Sequence, residues 1–520
     1  MRSRGADLAR VPKLFNEPQE CADGLTRAET RPTVDGISTA PDLLFAPLPI
    51  RDLVVPNRIV LTAMVTRLSG DDGFVNQKIR DRYIRLARGE PGLMVVEATA
   101  VHGSKSGPLL RMNDEKFIAG HREMVDEIRR LSDTKVALQI IHFLKIARSG
   151  WRQLVTDLSL DVIAAIPGLY ASAAERAVRA GYDAVELHMA HAYTLSSFLS
   201  RVNKRTDEYG GTLENRLRLP SEVLTAVRQA VGSSFCVGVR FDGEECIKNG
   251  YSAEESKLMA LRFATLGADY VSLSAGGKFE DAVKKEGEPL YPYTGYSGDR
   301  TMPAVQYPDM TNIHIAETVK RFLVGNGFMT PVIATGKIRT RAQMESVLAT
   351  GQADLVGIAR GLLADPDLPR KLRAGREDTV VRCVYANVCK NLDENFQEVR
   401  CFLWPKGELN APLVDDDEPP IWKDSEPWLK TAEETGKVKL EWSEALDPLG
   451  IHGYEIFRAA GMEAFESFAK QPAYYHRRWF DKNVISGIAY RYFVKAYDLA
   501  GNRSGPTPTV EVSLEKSAGR

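Results

Sequence analysis

The chain has 520 residues, a formal net charge of −1 and 44% hydrophobic residues. These values are ordinary for a globular protein of more than one domain, and a nearly neutral chain does not favour nucleic acid as a partner. No apolar run approaches the roughly 18 residues of a membrane span, and the N-terminus lacks the apolar core of a secretory signal. Six cysteines are too few for a disulfide scaffold, so the reducing cytoplasm is the expected location.

The first 41 residues are polar, with scattered proline, glycine and charge. Apolar side chains are too sparse there to form a core, so residues 1–41 are predicted to be a poorly ordered extension. A targeting peptide that is later removed is the alternative.

Between residues 42 and 375, short and almost wholly apolar runs alternate with helical patterns. Such runs are typical of parallel strands that are covered on both faces. Eight strand-then-helix units favour a (β/α)8 TIM barrel over the alternative, an open doubly wound sheet. The predicted strands are residues 58–64, 93–99, 135–141, 183–189, 235–241, 269–275, 331–336 and 354–360.

The sequence changes character after the barrel. Residues 376–427 hold three cysteines and end in the acidic, proline-containing stretch LVDDDEPPIWKDSEP, which is typical of a linker. Residues 428–515 alternate apolar and polar side chains, which predicts a small all-β sandwich. This region resembles a fibronectin type III module, which would serve for docking a protein partner or for self-association. Its predicted core residues are Trp442, Tyr454, Tyr492 and Tyr497.

Reactive residues of a TIM barrel project from the C-terminal ends of its strands. Here those ends carry small or hydrogen-bonding residues and one fixed cation, Arg240, which suits a planar, polar and partly anionic ligand. Strands seven and eight end in ATGKIRT and GIARGLLADP, whose backbone N–H groups are predicted to hold a phosphate. A glycine after a strand is more often a simple turn, but two such turns on adjacent strands favour the phosphate site. The four phosphate-site residues are Gly336, Lys337, Ala359 and Arg360.

The most specific stretch is ELHMAHAYTLSSFLSRVNKRTDEYGGTLENR, residues 186–216. It sets His188 and His191 beside Tyr193 after a strand, where histidines are usually structural and a tyrosine usually packs. Together with NRIVLTAM, VVEATAV and ADLVGIARGLLADPDLPRKL, it resembles the Old Yellow Enzyme group of FMN-dependent NAD(P)H:flavin oxidoreductases. The resemblance covers residues 42–375.

The resemblance implies FMN at the barrel mouth. Gln139 would hydrogen-bond the flavin pyrimidine ring, and Arg240 would face the N1/O2 edge, where a cation favours the anionic reduced state. Val65 stands where the family often has a hydrogen-bonding threonine or cysteine. The residues implied to bind FMN are Thr62, Ala63, Met64, Val65, Ala98, Gln139, His188, Arg240, Gly336, Lys337, Ala359 and Arg360.

The same resemblance implies a reaction. His188 and His191 would bind a substrate carbonyl oxygen and stabilise the enolate-like charge that develops, while Tyr193 would protonate the α-carbon. Hydride would pass from NAD(P)H through FMN to an activated alkene, such as an α,β-unsaturated carbonyl compound or thioester. Two alternatives remain: a dehydrogenase or demethylase that uses the site oxidatively, and a flavin-binding scaffold without turnover.

Some relatives carry four cysteines after the barrel, which bind an iron–sulfur cluster. The matching segment here keeps Cys383, Cys389 and Cys401 but has Ala386 at the remaining position. A cluster normally takes four thiolates, so we predict no metal and interpret the segment as a remnant of such a site, with an iron–sulfur cluster as the alternative. No nucleotide-binding domain is recognisable behind the barrel, so NAD(P)H is expected to bind directly over the flavin.

The long segment after strand six is a candidate lid over the substrate. Its Tyr291, Tyr293 and Tyr296 would line the pocket or, equally, pack the loop against the barrel. Loops of this length without secondary structure are usually functional.

Overall fold

A computed structural model of the chain describes residues 42–104, 107–145, 153–277, 298–413, 418–434, 436–447, 451–473, 475–498, 500 and 502–513. The predicted N-terminal extension, residues 1–41, lies outside the described residues, and so do Tyr291, Tyr293 and Tyr296. Among the described helices, none combines the length and the apolar character that crossing a bilayer requires.

Eight parallel strands form a closed barrel, which confirms the predicted fold class. The last strand closes the barrel by pairing with the first, where Val356 lies opposite Ile59. Every strand falls on a predicted run, although the first is shorter than expected because residues 62–65 leave the ladder and line the barrel mouth. The strands are β1 Ile59–Leu61, β2 Leu93–Ala100, β3 Lys135–Ile141, β4 Ala184–Met189, β5 Cys236–Glu244, β6 Tyr270–Ala275, β7 Val332–Thr335 and β8 Leu355–Ile358.

Helices follow most of these strands, and some of them begin at a side chain that caps the first turn. Asn76, Ser159 and Thr212 each accept an N–H from the first turn of the helix that follows, which pairs a donor the helix itself leaves unused. The described helices are Gln77–Ala87, Ile118–Leu131, Leu160–Arg179, Thr194–Leu199, Leu213–Val231, Ala253–Thr265, Gly298–Thr301, Ile313–Gly325, Arg341–Ala349, Arg360–Ala364, Leu368–Arg373 and Val388–Glu394.

Side chains fill the barrel interior at the N-terminal ends of the strands. The hairpin formed by Leu48–Ile50 and Leu53–Val55 contributes to this buried cluster. Gly238 of β5 also makes room for it, because a Cβ there would lie 2.0 Å from Cζ of Tyr270. Since this end is closed by packing, a ligand has to enter from the opposite end, where the strands finish.

The C-terminal region from Ile421 onward is all-β, as predicted for residues 428–515, and its fibronectin type III character and its boundaries stay predictions. Trp442, Tyr454 and Tyr492 share a buried cluster, whereas Tyr497 is buried against the His452 ring. The short strand Ile421–Trp422 falls within the stretch that was predicted to be linker. The antiparallel sheets are Ile421–Trp422 with Ala445–Leu446; Leu429–Glu434, Lys437–Trp442 and Arg478–Asp481; and Glu466–Pro472, Ile451–Ala460, Ala489–Asp498 and Val510–Ser513.

The C-terminal sheets are attached to the segment that follows the barrel. The carboxylate of Asp378 pairs with Arg503, and its backbone carbonyl accepts a hydrogen bond of 3.0 Å from Lys470 Nζ. Arg376 also donates to the carbonyl of Ala500. These contacts fasten the sheets to the chain shortly before its cysteine-containing segment.

Candidate active site

A cleft of about 1090 Å³, a volume that includes open solvent, lies at the C-terminal ends of the barrel strands. All the residues predicted to bind the cofactor or to act on the substrate lie on its wall, apart from the lid tyrosines outside the described residues, and their roles stay predictions. These residues are Thr62, Ala63, Met64, Val65, Ala98, Gln139, His188, His191, Tyr193, Arg240, Gly336, Lys337, Ala359 and Arg360.

The floor of the cleft is polar and holds a buried charge. Gln139 Nε2 donates to Glu186 Oε1 at 2.7 Å, and Arg240 Nη1 donates to Ser272 Oγ at 2.7 Å. Burial raises the pKa of Glu186, which the positive charge of Arg240 opposes. One of the two N–H donors of the Gln139 amide is therefore used, and its carbonyl oxygen can accept a hydrogen bond from a ligand.

His188, His191 and Tyr193 meet edge to face at one side of the cleft. The His188 ring lies 5.1 Å, centroid to centroid, from both of the other rings, at interplanar angles of 79° and 86°. Nδ1 of His188 accepts the N–H of Ala190 at 3.2 Å, which assigns the proton of a neutral ring to Nε2. His191 Nε2 lies 2.7 Å from Ser274 Oγ, so the serine fixes the orientation of that ring.

A strained turn after β4 presents these side chains. His191 and Ala192 both have positive φ, at 63° and 56°, in the left-handed region that residues other than glycine rarely adopt. Asp242 holds the turn, because its Oδ2 accepts the N–H of His191 at 2.7 Å and the hydroxyl of Ser196 at 3.3 Å. Burial raises the pKa of this carboxyl group well above its usual range.

Asp242 was not identified from the sequence as part of the site. It is fully buried and its Oδ1 lies 3.8 Å from His191 Nε2. The sequence feature that could have identified it is the strand VGVRFDGEE, which has an acidic residue two positions after Arg240. A carboxylate in the same strand as a functional cation is a reason to suspect a positioning role.

At the opposite side of the cleft, the two predicted phosphate cations already have partners. Lys337 Nζ donates to the carbonyls of Ala304 at 3.3 Å and Val305 at 3.2 Å, and to that of Tyr307. Three donors of an ammonium group are thereby used, so this side chain contributes charge rather than a direct contact.

Arg360 retains unused hydrogen-bonding capacity. Its Nη1 donates to the carbonyl of Pro303 at 2.9 Å and to Oδ1 of Asn387 at 2.6 Å. Among the described residues, its Nε and Nη2 have no hydrogen-bond partner. Guanidinium groups bind phosphates through such paired donors, so Arg360 fits an anion at this end of the cleft.

Several lining residues were not identified from the sequence, and some of them come from outside the barrel strands. Tyr385 and Asp393 come from the cysteine-containing segment, and Asp393 is paired with Arg67 at 2.7 Å. Gly336, with φ of 123°, lies so close to Asn312 that an added Cβ would be 2.9 Å from the asparagine Cβ. The additional lining residues are Thr301, Met302, Pro303, Asn312, Thr335, Ile338, Gly357, Ile358, Gly361, Tyr385 and Asp393.

The three nearby cysteines do not match a four-thiolate cluster. Burial raises the pKa of Cys389 to about 11 and that of Cys401 to about 12, so without a metal both side chains are neutral thiols at pH 7. In the described parts of the chain, no group of three or more His, Cys, Asp or Glu side chains is arranged to hold a metal ion. With Ala386 at the remaining position, these residues are a poor donor set for a standard iron–sulfur cluster.

The family model for the NADH:flavin oxidoreductase / NADH oxidase family matches residues 43–152 and 145–379. The chain belongs to this family. It is 30% identical over 370 residues to an NADH oxidase of Thermoanaerobacter brockii, covering 66% of this chain and 53% of that protein. It is also 28% identical over 379 residues to an N,N-dimethylglycine/sarcosine dehydrogenase of Chromohalobacter salexigens, covering 68% of this chain and 51% of that one.

The chain thus spans about half the length of these two relatives. Its fold is similar to that of a 2-naphthoyl-CoA reductase solved in complex with 2-naphthoyl-CoA, with a TM-score of 0.61 and 21% identity. That likeness covers 69% of this chain and 56% of the other. FMN is the cofactor that membership of the family implies, and the cleft fits it with a polar floor, a buried cation and an arginine suited to phosphate.

Proposed function

We propose that this protein is an FMN-dependent oxidoreductase that passes hydride from NAD(P)H to an activated alkene. The main support for this proposal is that His188, His191 and Tyr193 lie together on one side of a cleft that has Arg240 on its floor. Two imidazoles and a phenol can together bind a carbonyl oxygen and supply a proton, which are the tasks that alkene reduction requires.

FMN, when bound, would supply the hydride chemistry. Gln139 and Arg240 would orient its pyrimidine edge, and the permanent charge of Arg240 would favour an anionic reduced ring. Arg360 would bind the phosphate, while the backbone at Gly336 and Ala359 would surround it. Thr62, Ala63, Met64, Val65 and Ala98 would pack along the ring, and Val65 offers no side-chain hydrogen bond to it.

The protein groups would carry the remaining steps on the substrate. His188 Nε2–H and the His191 ring would bind the carbonyl oxygen and oppose the negative charge that develops there. Tyr193 O–H would deliver a proton to the α-carbon. Asp242 would keep the left-handed turn in place, so that the two imidazoles do not have to reorganise during the reaction.

The oxidative alternative is supported by similarity to a protein named N,N-dimethylglycine/sarcosine dehydrogenase. In that case hydride would pass from an amine to the bound flavin, and Tyr193 would act on a substrate proton in the reverse sense. A flavin-binding scaffold that docks a partner through its C-terminal sheets is the alternative without turnover.

One set of anaerobic half-reactions separates these functions. Purified protein reconstituted with FMN is mixed with NADH or NADPH, and the loss of flavin absorbance is followed; the reduced protein is then mixed with cyclohexenone. Reduction by a nicotinamide followed by reoxidation by the enone supports the alkene reductase. Reduction by dimethylglycine but by neither nicotinamide supports the dehydrogenase, and a yellow protein that no donor reduces supports the scaffold. Protein that cannot bind FMN contradicts all three.

A further inference from the structure

Tyr385 occupies a backbone conformation that a bulky residue avoids. Its φ is 55°, in the left-handed region, and Asn387 two residues later has φ of 57°. Left-handed geometry is unusual for an aromatic residue and persists only where the surroundings hold it. The strained turn lies between Cys383 and Cys389, and it places the buried Tyr385 ring against the wall of the cleft.

Three cations surround the Tyr385 ring. Lys337 Nζ and Arg360 Cζ each lie 4.7 Å from its centroid, and Arg339 Cζ lies 5.5 Å away. All three distances are within the range of cation–π attraction. The contacts come from the ends of β7 and β8, so one ring from outside the barrel joins the two strands that form the predicted phosphate site.

Among the described residues, the positive charges around this ring outnumber the negative ones. Asp309 lies 3.8 Å from Lys337 Nζ and 3.5 Å from Arg339 Nη1, and it supplies one negative charge against the three positive ones. Burial lowers the pKa of Lys337, and the neighbouring Arg339 and Arg360 act in the same direction, although Asp309 opposes them. A phosphate dianion beside Arg360 would neutralise the excess.

We propose that Tyr385 is a positioning residue for the phosphate of FMN. This assignment rests on the proposed function. The ring holds the Arg360 guanidinium against the cleft wall while Pro303 and Asn387 anchor its Nη1, so that Nε and Nη2 are presented to the phosphate. The segment that holds the cysteines thereby serves cofactor binding through an aromatic residue.

Comparison of FMN with riboflavin, which lacks the phosphate, tests this assignment. Dissociation constants are measured for both flavins by fluorescence titration of the full-length protein. We expect Tyr385→Leu to weaken FMN binding about tenfold, the equivalent of losing one or two cation–π contacts, and to leave riboflavin binding unchanged. Tyr385→Phe keeps the ring and should retain the preference for FMN, and Tyr475→Leu, an exposed site in the C-terminal region, is the control.

Tyr385→Gly separates the role of the ring from backbone strain. Glycine adopts positive φ without strain, so loss of the preference for FMN in this variant as well as in Tyr385→Leu would come from the missing ring and not from a disturbed turn. An equal loss of affinity for both flavins, or an unchanged preference for FMN in Tyr385→Leu, would overturn the role of Tyr385 and leave the proposed function intact. Wild-type protein that binds neither flavin would overturn the proposed function and this assignment with it.

Discussion

The two ends of the cleft are built in different ways. At the proposed substrate end, His188, His191 and Tyr193 come from six consecutive residues, and Asp242 on the adjacent strand holds their turn. The proposed phosphate end is assembled from segments far apart in the chain, because Lys337 and Arg360 contact carbonyls of the segment 303–307 and the ring of Tyr385. The first end depends on local geometry, and the second depends on long-range packing.

Because of this difference, we expect variants at the two ends to lose different properties, either turnover or flavin binding. Variants at the substrate end should slow turnover while flavin binding is kept. Variants at the phosphate end should weaken flavin binding, with little change in turnover once the site is filled. Single substitutions can test this separation of turnover from flavin binding, and their expected effects run from a large loss of rate to a small loss of affinity.

Tyr193→Phe should have the largest effect. Removing a positioned proton donor costs about 10²–10⁴ in rate, so reoxidation of the reduced flavin by an enone should slow by that factor. Stopped-flow absorbance measures both half-reactions, and reduction by NAD(P)H should be nearly unaffected. Equal slowing of both half-reactions would count against the proton-donor role. Tyr209→Phe, at a buried site outside the cleft wall, is the control.

His191→Ala and His191→Asn form a matched pair. Alanine removes the side-chain donor, and loss of one such donor costs about 10²–10³ in rate. Asparagine keeps an N–H donor and tolerates positive φ better than most residues, so it should retain more of the enone half-reaction. If the two variants are equally slow in the stopped-flow assay, the imidazole is required for something other than hydrogen-bond donation.

Glu97→Gln should change stability without changing either end of the cleft. Glu97 is buried on β2, where its Oε2 accepts from Tyr83 O–H and Thr66 N–H, each at 3.2 Å, and burial raises its pKa to about 7. Because the folded pKa exceeds the ordinary value of 4.5, its favourable contribution is complete below pH 4.5 and is lost as the pH rises to 7.

The difference in unfolding free energy between Glu97→Gln and the wild type should therefore grow in favour of the variant by about 3 kcal/mol between pH 4 and pH 8. Urea unfolding at several pH values measures it. A difference that does not vary with pH would mean that the carboxyl group titrates normally. FMN affinity of the folded variant should match the wild type.

Lys337→Met should have the smallest effect. Its ammonium group holds carbonyls of the segment 304–307 rather than offering donors to the cleft. Loss of one positive charge and of these contacts should weaken FMN binding about tenfold, as the loss of about 1.4 kcal/mol would, and leave the turnover of saturated enzyme unchanged. Arg360→Met should weaken it more, because Arg360 is the proposed direct ligand. The reverse order in a fluorescence titration would contradict that assignment.

The fold could be predicted from the sequence because buried parallel strands are almost wholly apolar. The side chains of the substrate end could also be predicted, since they lie in one short motif at the end of a strand. Asp242 was missed because its role depends on a strained turn in another strand segment. Tyr385 was missed because its partners are brought to it by tertiary packing, and the cysteines around it suggested a metal instead.

The attachment of the C-terminal sheets at Asp378 has a mechanical consequence. The same short stretch of chain that bears Asp378 continues to the turn at Tyr385. A protease cut within the exposed residues 373–376 would leave Asp378, Tyr385 and the sheets on one fragment, so release of that fragment would remove the sheets and part of the cleft wall together. Loss of yellow colour during limited digestion should coincide with removal of the C-terminal fragment.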